Sequence, residues 1–302
     1  PKQFSPTGAL TVAEAIVMAD RLHEIYTTGQ STLTNGEPWY QTYVDYAIEN
    51  GIVQAGDFTS YTAKATRGQM AYLFSRALPA SVLPSINNVQ TLPDVTSSTK
   101  YSQEIFSLYN AGVLTGSDVF GTFKPNDNII RAEAAAILTR VALPEQRKTV
   151  VLMKQVQWGV AKLAIPQSAG AGVTENGMYT VTSEQDACGV IATSVTDSAY
   201  KGLSVTVLTE QQMNNILTQA FNSTDGKLSN AKSTKVSFGS VKAYRTVGIL
   251  TTDEGAGDCL IFTYITGNKM DMICLLAYEN DTALKNMANG LMVGGVTASP
   301  QF

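Results

Sequence analysis

The chain has 302 residues, 44% of them hydrophobic, with 21 Lys and Arg against 25 Asp and Glu, which is enough for two ordinary domains with apolar cores. The near-balance holds in both halves, 11 basic against 13 acidic residues up to Thr149 and 10 against 12 beyond it, so neither half has the basic surface that nucleic-acid binding requires. No apolar run approaches the length of a membrane span, and the single histidine, His23, excludes Ser-His-Asp, Cys-His and multi-histidine metal chemistry from the second half.

The first predicted helix opens at Thr11-Val12-Ala13-Glu14. The same signature returns at Thr66-Arg67-Gly68-Gln69 and at Ile130-Arg131-Ala132-Glu133, each time with an apolar stripe behind it and Arg21, Arg76 or Arg140 at one fixed offset. Thr followed three residues later by Glu or Gln is a capping box, in which two side chains satisfy amides at a helix start. Met70, Leu73, Phe74 and Ala77, and again Ala134, Ile137, Leu138 and Val141, follow the i, i+3, i+4, i+7 spacing of one helical face. His23 falls near the end of the first helix and reads as a surface side chain.

An earlier helix precedes the second and third boxes. Tyr40, Val44, Ala47 and Ile48 lead to Asn50-Gly51-Ile52-Val53, and Tyr101, Ile105, Leu108 and Tyr109 lead to Ala111-Gly112-Val113-Leu114. The glycine suits the left-handed residue that closes a helix, and the aliphatic residue after it folds back on the last turn. Each copy therefore reads helix, loop, helix, a unit that buries its apolar face only by stacking on its neighbours. No earlier helix precedes Phe4, so the first copy is a second half alone, either trimmed or completed by something outside this sequence.

The run Leu92-Pro93-Asp94-Val95, Tyr101, Ile105, Leu108-Tyr109, Gly112-Val113-Leu114-Thr115-Gly116, Gly121-Thr122-Phe123-Lys124-Pro125-Asn126 and Ile130 to Glu133 closely resembles an S-layer homology repeat. The stretch from Trp39 to Arg76 is a looser match, and Phe4-Ser5-Pro6 through Leu22 matches a second half. The resemblance implies an all-α repeat bundle over residues 1–147, with a partial repeat at 1–30 and full ones at 37–80 and 92–147. It also implies anchoring of a secreted Gram-positive surface protein, in the cell wall or S-layer, to secondary cell-wall polysaccharide, often an acidic, pyruvate-bearing glycan. In that family the box arginine contributes to the glycan groove; this carries over to Arg67 and Arg131 only, because Val12 stands in its place in the first copy. A guanidinium in the first turn of a helix lies beside exposed amides, so a carboxylate there would meet both charge and donors. Trp39, Tyr40 and Tyr101 offer ring faces to sugars, with core packing as the alternative role.

Pro144 to Lys148 punctuates the chain, and beyond it, over residues 148–302, the period becomes extended. Strands are predicted at Val150 to Met153, Gly159 to Ile165, Met178 to Ser183, Gly189 to Thr196, Ser204 to Leu208, Val236 to Phe238, Tyr244 to Thr251, Cys259 to Thr266 and Met270 to Tyr278, with a tight turn at Thr266-Gly267-Asn268-Lys269. Thr209 with Gln212 caps one helix and Asp281 another. Strands and helices in this order make an α+β domain on an antiparallel sheet, covered on both faces because its last strands are apolar on both, by helices or by the repeats. The order resembles the fold shared by extrinsic photosystem subunits and small nuclear-transport cofactors.

Chemistry in this half is sparse. Ser229-Asn230-Ala231-Lys232 spells the Ser-x-x-Lys of penicillin-recognising enzymes but reads as a solvated loop; Glu184, Asp186, Asp253, Glu254 and Asp258 are the carboxylates available to a glycosidase, with 253–258 read as a loop. Cys188, Cys259 and Cys274 read as buried hydrophobes, with a Cys259 to Cys274 bridge as the alternative. No catalytic residue, metal ligand or cofactor is assigned. The expectation is a non-enzymatic, wall-anchored protein displaying a ligand- or partner-binding domain; the alternative is an anchored wall-glycan or peptide hydrolase using those carboxylates.

Overall fold

The computed structural model describes residues 4–222 and 226–300. The chain forms two compact units, Pro1–Val150 and Val151–Phe302. The first carries α1 (Val12–Thr28), α2 (Gln41–Glu49), α3 (Arg67–Arg76), α4 (Ser102–Asn110) and α5 (Arg131–Ala142), where α1, α3 and α5 are the three box helices.

The three helix starts are tied to one another by main chain. Leu10 N donates to Ile129 O (3.1 Å), Ile129 N to Ala65 O (3.0 Å) and Ala65 N to Leu10 O (2.9 Å), a closed cycle through the residues just before the three caps. The next two amides of each helix donate to a loop of another copy: Val12 to Ala63 and Ala13 to Tyr61, Arg67 to Asp127 and Gly68 to Pro125, Arg131 to Gly8 and Ala132 to Pro6, all at 2.8–3.0 Å. Amides that a helix end leaves without intrahelical partners are thereby satisfied, and copy one closes on copy three through Pro6 to Leu10. Thr11 and Thr66 form their boxes with Glu14 and Gln69. Ile130 has no hydroxyl to return the bond that its amide makes to Glu133 (3.2 Å), so the third box is half made.

The predicted faces are largely those buried. Met70, Leu73, Phe74 and Ala77 are wholly inaccessible, as are Ile105, Leu108 and Tyr109. On α2 the buried residues are Tyr43, Val44 and Ala47, while Ile48 is exposed. Gly51 and Gly112 take positive φ, 68° and 73°, as the helix-closing role requires; at Gly112 a Cβ would also lie 2.7 Å from Lys148 O, so no other residue fits. His23 is half-buried rather than a surface group: its Nδ1 lies 2.8 Å from the Tyr46 hydroxyl of α2, and burial lowers its pKa.

The second unit is an antiparallel seven-stranded sheet in the order β3-β4-β5-β9-β8-β7-β6 with a four-stranded sheet in the order β1-β2-β10-β11. The strands are β1 (Met153–Trp158), β2 (Ala161–Pro166), β3 (Val173–Glu175), β4 (Met178–Ser183), β5 (Cys188–Thr196), β6 (Lys227–Phe238), β7 (Val241–Thr252), β8 (Gly255–Thr266), β9 (Lys269–Ala277), β10 (Met292–Val293) and β11 (Val296–Thr297). As their two-sided apolar pattern predicts, β8 and β9 lie at the centre of the sheet. On one face Ile261, Cys259, Cys274 and Leu276 pack with Met213, Leu217 and Phe221 of α6 (Glu210–Asn222); α7 (Asp281–Gly290) packs against β8, β9 and β2.

Several expectations are corrected here. Ser204 to Leu208 is no strand: residues Val205–Val207 form a 3-10 turn, with Ser204 capping it, because the turn bond outcompetes a pairing that no neighbouring strand offers. Asn280, not Asp281, caps α7, accepting from Ala283 N. Residues 253–258 are a two-residue hairpin turn and the start of β8, and Ser229 to Lys232 lies in β6 at a register shift against β7. Cys259 and Cys274 are free and buried; the Cys259 thiol beside Cys274, together with burial, drives the latter's pKa up.

Asp20, on α1, is fully buried and neither carboxyl oxygen has a hydrogen-bond partner. Burial, then the charge of Glu24 one turn on, raises its pKa from 3.8 to about 8. Glu24 stays ionised by accepting from Thr32 N, Thr32 Oγ1 and Leu33 N. The unfolded chain loses the Asp20 proton near pH 3.8 and the folded chain near pH 8, so unfolding releases a proton throughout that window and stability falls as pH rises. Between pH 5 and pH 8 the first unit loses about 4 kcal/mol from this residue. Asp20→Asn abolishes that slope in urea titrations followed through Trp39 in a Trp158→Phe background; an unchanged slope would contradict the assignment.

Candidate functional site

Six aromatic rings of the first unit form a continuous row. Centroids are 5.6 Å apart for Trp39 and Tyr40, 5.6 Å for Tyr40 and Tyr61, 6.4 Å for Tyr61 and Phe58, 6.4 Å for Phe58 and Tyr72, and 4.7 Å for Tyr72 and Tyr101, within the range of favourable ring contacts. Phe58 and Tyr72 are buried backing, Tyr40, Tyr61 and Tyr101 are half-buried, and Trp39 is 42% exposed. The three aromatics expected from the sequence thus lie in one row, joined by Tyr61, Phe58 and Tyr72, which sequence reasoning missed.

Local structure explains the alignment. Tyr40 and Tyr101 are the N-cap residues of α2 and α4. The Tyr61 carbonyl accepts from Ala13 N, so closure of the three-copy cycle also fixes this ring. Gly68, in the first turn of α3, lies beneath the far end: a Cβ there would lie 3.1 Å from Pro125 O, so glycine lets the Pro125 carbonyl approach closely, while Tyr101 Cδ2 would lie at an ordinary 3.5 Å. Tyr101 itself holds φ at 65°, a left-handed conformation that costs a non-glycine residue about 1 kcal/mol or more, whereas Tyr40 is ordinary at φ −90°.

Cations flank the row. Arg76 lies over Tyr72 at 5.1 Å and Lys100 over Tyr101 at 4.8 Å, distances at which a ring face attracts positive charge. The Tyr72 hydroxyl donates to Asp57 Oδ2, 2.5 Å; burial and this bond push its pKa up to about 12. Tyr101 beside it keeps Lys100 above the usual lysine range.

The box arginines are differently placed. Arg67 Nε donates to Phe123 O (2.6 Å), Nη1 pairs with Glu133 (2.5 Å), and the guanidinium lies 5.0 Å over the Phe123 ring; its side chain is 12% exposed. Arg131 repeats the geometry more loosely, with Nε to Phe4 O (2.9 Å), Nη1 to Glu14 (3.5 Å), the Phe4 ring at 5.5 Å and the side chain 37% exposed. The exposed amides expected beside these arginines are not available, because the first two are bonded to neighbouring loops and, in α3, the third to Thr66.

In the second unit Val247, Gly248, Leu260 and Leu284 line a depression of about 190 Å³ that Asp258, Asp281 and Lys285 also border. Of the other carboxylates read from the sequence, Asp186 accepts from Ser168 and Ser183, while Asp253 and Glu254 occupy the β7–β8 turn. Ser229 lies in β6 and donates weakly to Ile249 O, 3.4 Å.

The S-layer homology domain matches residues 91–135, the stretch holding α4 and the start of α5, and implies association with the cell surface. No curated protein matches the chain. Among solved structures, cyanobacterial PsbP (CyanoP) from Synechocystis sp. PCC 6803 aligns over 48% of this chain and 94% of its own, at 11% identity and a TM-score of 0.37. A Bacteroides thetaiotaomicron protein aligns over 44% of this chain at 8% identity and a TM-score of 0.30, and the alignment spans 45% of that protein's length. No helix among the described residues is long and apolar enough to cross a membrane.

The unequal bonding of the arginines has a measurable consequence. Arg67→Ala costs the first unit about 2 kcal/mol, since it leaves a charged hydrogen bond and a ring contact unmade, whereas Arg131→Ala costs less than about 1 kcal/mol because its pair is solvent-screened. Urea titrations of the two variants side by side test the difference.

Proposed function

We propose that the first unit anchors the protein outside the cell to secondary cell-wall polysaccharide, as three S-layer homology repeats, partial at 1–30 and full at 37–80 and 92–147, and that residues 148–302 display a ligand- or partner-binding domain. The observation that carries this reading is the aromatic row. A run of contacting rings with one exposed and three half-buried members suits sugar faces, and flanking cations suit an acidic glycan. Trp39, Tyr40 and Tyr101 carry the sugar faces. Arg67 and Arg131 belong to the groove as braces between copies.

Retention of the whole chain on purified Gram-positive wall sacculi tests the reading. The expected result is retention that is lost when the acidic polymer is chemically stripped, and that falls roughly tenfold or more in a Trp39→Ala, Tyr40→Ala double variant. Equal retention before and after stripping would refute it.

A second reading, an anchored hydrolase, is favoured by one observation: Asp258 and Asp281 share a depression, and paired carboxylates are what glycoside hydrolysis requires. At about 190 Å³ this depression is smaller than the ~300–1,000 Å³ usual for small-molecule sites, which argues against a substrate cleft there. Release of reducing sugar or peptide from sacculi by the parent chain, abolished by Asp258→Asn, would reverse that preference.

A further inference from the structure

We infer that Lys100, and not the arginine of either box, is the cation that reads the acidic group of the glycan. The inference rests on the anchoring reading and goes beyond it in naming where along the aromatic row the charge is recognised.

Three observations lead there. First, the alternatives are engaged within the protein. Arg67 is almost enclosed, with Nε, Nη1 and its flat face all in contact with Phe123 or Glu133. Arg131 places Nε, Nη1 and its face against Phe4 and Glu14. Arg76 holds Gly51 O and Ile52 O with Nε and Gly51 O again with Nη2. A fork already bonded on two sides offers an incoming carboxylate no bidentate approach.

Second, Lys100 is exposed, and among the described residues no carboxylate lies within ion-pair distance of its ammonium. The nearest acidic influence, Asp57, is already hydrogen-bonded to Tyr72 Oη and to Gln54 N. Lys100 Nζ sits 4.8 Å from the centre of the Tyr101 ring, and Tyr101 is backed by Tyr72 at 4.7 Å. An acid-bearing sugar that reaches this end of the row therefore meets a positive charge that no carboxylate balances.

Third, the two copies differ at this position. Tyr40 and Tyr101 are equivalent N-cap residues, so Trp39 and Lys100, each just before them, occupy equivalent places. The row is apolar at its Trp39 end and cationic at its Lys100 end. Such a row takes a glycan in one direction, with a neutral unit against Trp39 and the acid-bearing unit beside Lys100.

The test uses the whole chain and two probes: wall polysaccharide carrying pyruvate ketals, and the same material after mild acid has removed them. Binding is measured by calorimetry for the parent, Lys100→Gln, Lys100→Arg and Arg131→Gln. The expected result is a loss of about tenfold or more for Lys100→Gln on the ketal-bearing polymer, no change on the stripped polymer, recovery in Lys100→Arg, and less than about a twofold effect of Arg131→Gln. If Lys100→Gln binds the ketal-bearing polymer as the parent does, or loses both polymers alike, the assignment to Lys100 is wrong while anchoring stands. If the parent binds neither polymer, anchoring itself fails and Lys100 with it.

Discussion

Everything in the first unit depends on three buried amides that bond in a circle. Leu10, Ala65 and Ile129 are each solvent-inaccessible or nearly so, and an unpaired amide at such a place would cost as much as a lost hydrogen bond. Each of the three is satisfied only by another copy. No single copy can therefore complete its own helix start, which is the physical reason the repeats fold as a set. Because the circle is made of main chain, the side chains of the boxes are free to diverge: Ile130 lacks a capping hydroxyl and Val12 lacks a charge, yet both of their helices begin in the same way.

The circle also decides what the box side chains do. It brings the arginine at the start of one helix against the acid that closes the next box, pairing Arg67 with Glu133 and Arg131 with Glu14. At the third station the corresponding residues are Val12 and Gln69, and neither is charged. Val12 is 2% exposed, and an arginine buried there opposite an amide would lack the countercharge that makes burial tolerable. The same closure carries Tyr61 into line with residues from both hairpins, so the aromatic row and the internal ion pairs are two outcomes of one backbone arrangement.

The second unit is held by a different logic. Its central strands bury both faces, α6 covering one while α7 packs against β8 and β9. The depression bordered by Asp258, Asp281 and Lys285 lies between strand and helix at the edge of the α7 packing. A site of that kind is suited to holding a small group or one side chain of a partner. The thiols are interior, with Cys188 pushed up to about 12 by burial and Asp186, far from the low values that make a cysteine nucleophilic.

Periodicity and caps, which are local, were enough to locate α3, α5, β4 and the two-residue turn between β8 and β9, and to mark Gly51 and Gly112 as helix closers. The candidate residues Trp39, Tyr40 and Tyr101 were also visible, as aromatics at helix starts. Local pattern failed where a partner remote in sequence decided the outcome. Tyr61 and Phe58 sit in a loop with no period, and Ser204 to Leu208 has strand-forming residues but no strand to pair with. Arg67 and Arg131 looked free beside open amides, because nothing in residues 66–69 or 130–133 reveals that loops of other copies occupy those amides. Sequence alone determined the helix-start signatures, the apolar faces behind them and the chemistry available, since these follow from contacts within a few residues. Which of those groups face solvent and which are bonded inside was decided by the tertiary structure, because charge pairing and burial depend on the residues that closure of the circle brings together from opposite ends of the repeat array.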